Sequence, residues 1–84
     1  MKIIFSENAW EDYLYWQKTD RKTLTRINGL IKETKRKPFE GFGKPEPLKH
    51  SLAGYWSRRI NEEHRIVYKV TDDALLIAQL RYHY

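Results

Sequence analysis

The chain has 84 residues, the size of one small domain, and it lacks cysteine, which excludes disulfide bonds and thiolate metal sites. Its 16 lysines and arginines outnumber its 11 aspartates and glutamates, and the formal charge of +5 favours polyanionic partners such as nucleic acid. The apolar start, residues 1–5, is too short for a signal sequence or a membrane span. We therefore predict one cytoplasmic domain over residues 1–84, without membrane contact.

The amino-terminal part of the chain predicts a strand and then a helix. Residues 2–5 form an apolar run that fits a buried strand, and Ser6 is a typical N-cap for a helix that follows at once. Apolar residues then recur at helical spacing. The predicted stripe consists of Trp10, Tyr13, Leu14 and Gln17, broadened by Tyr15 and Trp16.

A second helix is predicted to begin after Asp20, a good N-cap, and to end before Pro38. Its apolar face consists of Leu24, Ile27, Leu30, Ile31 and Thr34. Its basic residues are Arg21, Lys22, Arg26, Lys32, Lys35, Arg36 and Lys37. Such a basic face is commonly only solvated, but it can also supply the phosphate contacts that position a protein on nucleic acid.

The carboxy-terminal half predicts a loop and a meander of strands. Residues 38–47 contain three prolines and two glycines, which is typical of an ordered loop. Strands are predicted at residues 55–60, 65–71 and 74–82, with short polar gaps that fit hairpins. The expected fold class is α+β, with the N-terminal strand joining a twisted antiparallel sheet and two helices packed on one of its faces.

Strand alternation predicts which side chains share the sheet face that the helices leave open. In the last strand, the residues expected to face inward are Leu76, Ala78, Leu80 and Tyr82. The open face would then gather Arg59, Arg65, Arg81 and His83. Arg58 falls on the core side, and we expect its guanidinium to reach water past the sheet edge.

These residues suggest a nuclease that needs no metal. Glu46, held between Pro45 and Pro47, is a candidate general base, and the His83 imidazole is a candidate general acid. The arginines would stabilise a phosphorane formed by attack of a 2′-hydroxyl. The alternative is that Glu46 makes an ordinary surface ion pair and the arginines coat a solvated sheet face. In that case His83 is a surface histidine, and the two aromatic residues beside it cap the core. The three histidines have no metal-ligand spacing, so no metal or other cofactor is predicted.

The whole chain resembles the YoeB toxins of the RelE/ParE superfamily of bacterial toxin–antitoxin systems. The resemblance is carried by residues 44–50, 56–60, 63–65 and 81–84, and by the first helix. It implies the microbial-ribonuclease-like α+β fold and a ribosome-dependent endonuclease that cuts the mRNA codon in the A site and stops translation. The alternatives are a ParE-like toxin that poisons a topoisomerase and a non-catalytic nucleic-acid-binding module.

The resemblance also implies roles for individual residues and a set of partners. Glu46 is implied as the general base, His83 as the general acid and Arg65 as the transition-state cation. Further substrate or phosphate contacts are implied for Lys49, Arg59 and Tyr84. The implied partners are a YefM-like antitoxin, the rRNA and mRNA of the ribosome, and a second copy of the chain. For that homodimer we expect Leu75 and Ile77 to be exposed and to add apolar contact area.

Overall fold

The computed structural model describes residues 1–82, which form two helices packed on a five-stranded sheet. The strands are β1 (Lys2–Phe5), β2 (Glu46–Pro47), β3 (Trp56–Arg59), β4 (Arg65–Val70) and β5 (Ala74–Gln79). The helices are α1 (Glu7–Thr19) and α2 (Arg21–Arg36), and a 3₁₀ turn spans His50–Leu52. The strand order is β1-β5-β4-β3-β2, with β1 parallel to β5 and the other pairs antiparallel. The α+β prediction is confirmed, although the sheet is mixed rather than antiparallel throughout.

Both helices begin at the caps that the sequence predicts. The Ser6 hydroxyl accepts a hydrogen bond from the Ala9 N–H at 2.9 Å and donates one to the Ala78 carbonyl at 2.8 Å, which joins α1 to β5. The Asp20 carboxylate accepts from the Thr23 N–H at 3.0 Å, and this bond is the main cause that lowers the pKa of Asp20. The two caps fix where each helix enters the fold. Over residues 1–82, neither helix has the length and apolar character needed to span a bilayer.

The buried face of α2 is the predicted one, whereas that of α1 matches the prediction only at Trp16. All five residues predicted for α2 are buried. In α1 the buried residues are Ala9, Asp12 and Trp16, and Trp10 is 48% exposed. Hydropathy favours the large aromatic residues, but the small Ala9 side chain faces the sheet, and Asp12 is buried because it accepts a hydrogen bond there.

Strand β1 lies at the sheet edge, so the prediction of a buried N-terminal strand is wrong. Its Ile3 and Ile4 side chains are 39% and 46% exposed. Only Phe5 is partly buried, with its ring edge-to-face against Trp10 and Tyr13 at 5.9 and 5.6 Å. A strand with a single neighbour is covered less than a central one, and this explains the exposure.

A β-bulge separates two parts of the β4–β5 pairing. Tyr68 pairs with Ile77, whereas the preceding Val67 pairs with Gln79, which leaves Ala78 as the extra residue. An extra residue reverses the alternation of side chains between the two sheet faces. Side chains before Ala78 and side chains after it therefore alternate between the core face and the open face in opposite order.

The bulge explains why the predicted core side of β5 is wrong before the bulge. After the bulge the prediction is confirmed for Leu80 but wrong for Tyr82, which is 59% exposed. Leu75 and Ile77 are almost fully buried, whereas Leu76 and Ala78 are only partly buried. The expectation that Leu75 and Ile77 are exposed for a dimer contact is therefore also wrong. Leu80, after the bulge, is fully buried as predicted.

Arg58 is fully buried, contrary to the prediction that its guanidinium reaches water. The guanidinium donates hydrogen bonds to three carbonyl groups of the loop that follows α2. These carbonyls belong to Lys37, Glu40 and Phe42. Its Nε also donates to the Tyr68 hydroxyl at 3.3 Å, which in turn donates to the Pro38 carbonyl at 2.6 Å, and burial raises the pKa of Tyr68. Arg58 thus fastens this loop to the sheet.

Candidate active site

Glu46 begins a row of paired residues across the open face of the sheet. It pairs with Ser57, Ser57 with Val67, and Val67 with Gln79. Directly paired residues of antiparallel strands point to the same face, and this face is opposite the helices because the alternate β4 residues lie in the core. The predicted base therefore lies on the open face, in a two-residue strand rather than in the predicted loop.

Arg59 and Arg65 belong to the same face. They pair with each other, and each is two residues from a member of the Glu46 row on its own strand. Two strand spacings, about 10 Å, separate the backbones of Glu46 and Val67. Glu46 and Arg65 thus stand on the same face of the sheet, with Arg65 two residues from Val67 along β4.

The Arg65 guanidinium is held at the turn between β3 and β4. Its Nη1 donates to the Asn61 carbonyl at 3.1 Å and makes a longer contact of 3.4 Å with the His64 carbonyl. Asn61 also shapes this turn, because its side-chain oxygen accepts from the Glu63 and His64 N–H groups, both at 2.9 Å. Within residues 1–82 no carboxylate forms an ion pair with Arg65.

A surface cavity of about 300 Å³ lies beside Glu46. Its lining residues are Glu46, Pro47, Leu48, Lys49, His50 and Leu52. Lys49, a predicted phosphate contact, thus lines the same cavity as the predicted base. The loop leading to Glu46 is fixed at Gly43, whose carbonyl accepts from the Arg59 N–H at 2.7 Å. Gly43 has a φ of 87°, and a Cβ at this position would lie 2.8 Å from the Leu30 side chain, so a larger residue would disturb the approach.

Side chains of α1 hold the chain where it leaves β5. The strand ends at Gln79, although the sequence predicts that it continues to residue 82. The Leu80 N–H donates to the buried Asp12 carboxylate at 3.0 Å, and the Leu80 carbonyl accepts from Trp16 Nε1 at 2.8 Å. These bonds replace the strand pairing that ends at this point.

The next part of the tail is held by the β3–β4 turn. The Tyr82 N–H donates to His64 Nδ1 at 2.7 Å, and the Tyr82 carbonyl accepts from the Arg65 N–H at 3.0 Å. Gln79 Nε2 donates to the Arg81 carbonyl at 2.8 Å. The tail backbone therefore reaches Arg65 through a backbone hydrogen bond, and the side chains of His64 and Gln79 support it after the strand has ended.

Arg81 does not join the open face. Its guanidinium carbon lies 3.5 Å from the centre of the Tyr15 ring in α1 and 4.6 Å from the Tyr82 ring. The prediction is wrong because β5 has already ended, so strand alternation no longer determines the direction of this side chain. Arg81 serves to pack the tail on α1 by a cation–π contact.

The remaining two predicted site residues, His83 and Tyr84, lie outside the described residues. Three residues that hold the site received no role from the sequence: Asp12, Asn61 and His64. For Asp12 a signal was present, since it lies three residues after Ala9 and four before Trp16 and so shares their helix face. Asn61 and His64 act on chain segments that are distant in sequence or on backbone groups, and no local pattern reveals such contacts.

Comparison with known proteins identifies the family to which this chain belongs. The family model for the YoeB-like toxin of bacterial type II toxin–antitoxin systems matches residues 5–84. Toxin YoeB of Escherichia coli K12 is 69% identical over 84 residues, which is the full length of both chains. A YoeB dimer and a heterotetrameric YoeB–YefM complex, both from Staphylococcus aureus, are each 52% identical, with TM-scores of 0.93 and 0.92. Each comparison covers 100% of this chain and 98% of the other. The chain therefore belongs to the family of YoeB-like toxins of bacterial type II toxin–antitoxin systems.

Proposed function

We propose that this toxin is a ribosome-dependent endoribonuclease that cuts the mRNA codon in the A site, in the cytoplasm, and thereby inhibits translation. The observation that carries the proposal is that Glu46 and Arg65 share the open sheet face. Further support comes from Tyr82, which is hydrogen-bonded to Arg65 and directly precedes His83 in the sequence. A base, a cation and the attachment point of an imidazole acid thus belong to one region of the surface.

The proposed reaction is general acid–base transfer of a phosphoryl group. Glu46 accepts the proton of the 2′-hydroxyl, and the 2′-oxygen forms a bond to phosphorus. Arg65, with Arg59 and Lys49, stabilises the negative charge of the phosphorane. The bond from phosphorus to the 5′-oxygen of the next nucleotide then breaks, and His83 donates a proton to that oxygen. The products are a 2′,3′-cyclic phosphate and a free 5′-hydroxyl, and Tyr84 is proposed as a further substrate contact.

The direct test uses purified toxin with ribosomes programmed with a defined mRNA, in the presence of a chelator. We expect cleavage at the A-site codon and an upstream fragment that ends in a 2′,3′-cyclic phosphate. Free mRNA without ribosomes serves as the control and should be cut far more slowly. Intact mRNA together with inhibited DNA supercoiling would contradict the proposal and favour a topoisomerase poison.

Part of the basic surface of α2 is engaged within the fold. Arg26 donates to the Ile60 and Arg59 carbonyls, both at 3.1 Å, and its guanidinium lies over the Phe42 ring at 5.5 Å. Two further cations near the helix end form local ion pairs, Arg36 with Glu33 and Lys37 with Glu40. The solvent-exposed lysines Lys32 and Lys35 form no ion pair within the described part of the chain. We propose that these two lysines contact rRNA phosphates.

Charge reversal at Lys32 and Lys35, each to Glu, is expected to weaken ribosome binding and to reduce its salt dependence. The log–log slope of affinity against salt should fall by roughly 1 for each lost phosphate contact. The matched control changes Lys2 and Lys18 to Glu, which gives the same net charge on other exposed surfaces. Equal loss of binding in both double variants would show that only the overall charge matters.

We also propose a YefM-like antitoxin and a homodimer as partners of this toxin. The proposal is supported by the relatives from Staphylococcus aureus, which are described as a dimer and as a heterotetrameric complex with YefM. The formal charge of +5 would favour an acidic segment of an antitoxin, and the basic open face is the surface that such a segment would neutralise.

A further inference from the structure

We propose that His64 is a positioning residue for the catalytic tail; this inference rests on the function proposed above. The observation is the hydrogen bond from the Tyr82 N–H to His64 Nδ1, at 2.7 Å. Nδ1 accepts this bond, so the proton of the neutral ring is carried by Nε2. His64 would act through Tyr82 by fixing the point from which His83 extends, without touching the RNA itself.

The His64 ring is fixed on several sides. It is only 9% exposed, and it lies edge-to-face against Trp16 at 4.8 Å. Its backbone is equally constrained, because the His64 carbonyl accepts from the Ile60 N–H at 3.0 Å and the His64 N–H donates to Asn61. A ring held in this way offers its nitrogen lone pair at one defined position, which is the property needed to locate a partner.

Tyr82 has a conformation that requires such support. Its φ is 64°, in the left-handed region that residues other than glycine rarely adopt. Both backbone polar groups of Tyr82 are held from the same turn, the N–H by His64 and the carbonyl by the Arg65 N–H. Strained backbone conformations persist where the surroundings determine them, and they are concentrated at functional sites. The His64 bond therefore helps to hold Tyr82 in this conformation next to Arg65.

The positioning role differs from simple packing in what it requires of the side chain. Packing against Trp16 needs a flat apolar ring, whereas holding Tyr82 needs an acceptor at the Nδ1 position. His64→Phe keeps the ring and removes the acceptor. His64→Asn loses most of the ring but places a side-chain oxygen close to the position of Nδ1. The two variants thus separate the two roles.

The experiment measures single-turnover cleavage on saturating programmed ribosomes, ribosome affinity, and amide hydrogen exchange at Tyr82. We expect His64→Phe to cut about 10²-fold more slowly, the loss typical of a misplaced catalytic group, with unchanged ribosome affinity and faster exchange at Tyr82. His64→Asn should recover most of the rate and of the protection. Leu24→Ala, a buried substitution in α2, serves as the stability control and should lower the melting temperature without slowing cleavage by folded protein.

The outcomes distinguish the positioning role from the proposed function. If the wild-type toxin cuts mRNA and the folded His64→Phe variant cuts at the same rate, the positioning role is overturned. The proposed function would remain intact. His64→Asn as slow as His64→Phe would also overturn it, because the acceptor would then not be the deciding feature. A wild-type toxin that does not cut would overturn the proposed function, and the positioning role with it.

Discussion

Glu46→Gln is expected to slow the chemical step about 10²- to 10⁴-fold, the usual loss when a general base is removed. Glutamine has the size of glutamate but cannot take up the proton of the 2′-hydroxyl. Ribosome binding should be preserved, because the phosphate contacts proposed for the open face and for α2 remain. Single-turnover cleavage and equilibrium binding, measured on the same programmed ribosomes, would separate the two effects.

The control for this substitution is Glu40→Gln, which makes the same charge change at another exposed glutamate of the loop between α2 and β2. Glu40 pairs with Lys37 at 3.5 Å, away from the Glu46 row. The Glu40→Gln variant should therefore cut mRNA at nearly the wild-type rate. If Glu46→Gln also cut at that rate, a different group would have to remove the proton.

Arg58→Met is expected to lower the free energy of unfolding by about 3–5 kcal/mol, because several buried polar groups would lose their partner at once. The three loop carbonyls now bonded to Arg58 would become unsatisfied or would need water, whereas the Tyr68 hydroxyl would keep its bond to the Pro38 carbonyl. A domain of this size has a total stability on the order of 5–10 kcal/mol, so the loss would be a large fraction of it. Urea denaturation followed by tryptophan fluorescence would measure the change.

The neighbouring Arg59→Met is the control for the stability measurement. Arg59 is exposed and carries the same charge one residue further along β3. An exposed substitution of this kind usually changes stability by less than about 0.5 kcal/mol. Equal urea midpoints for the two variants would mean that the buried guanidinium contributes no more than a surface one.

The elements that could be predicted from the sequence are those governed by local rules. The Asp20 cap and the apolar face of α2 follow from a single periodic pattern, and both are confirmed. The buried face of α1 could not be predicted from hydropathy, because it includes Asp12, whose partner is the Leu80 N–H at the other end of the chain. Likewise, Arg58 is buried because a distant loop supplies carbonyl acceptors, and nothing next to it in the sequence indicates this.

The site was predictable to the extent that strand alternation held. Alternation in β3 and β4 predicts that Arg59 and Arg65 share the open face, and they are paired there. It fails in β5 because the extra residue Ala78 has no signature in an apolar run. It fails again at Arg81, where the strand has ended and cation–π contact with Tyr15 determines the side-chain direction.

The contacts between the N-terminal part of the chain and residues 74–80 have a consequence for folding during synthesis. Among residues 1–82, β1 pairs only with β5, and the Asp12 and Trp16 side chains bond to the backbone of Leu80. A nascent chain cannot make these contacts while residues 74–80 are still inside the exit tunnel of the ribosome that synthesises it. Completion of the fold is therefore delayed until residues 74–80 have left the tunnel.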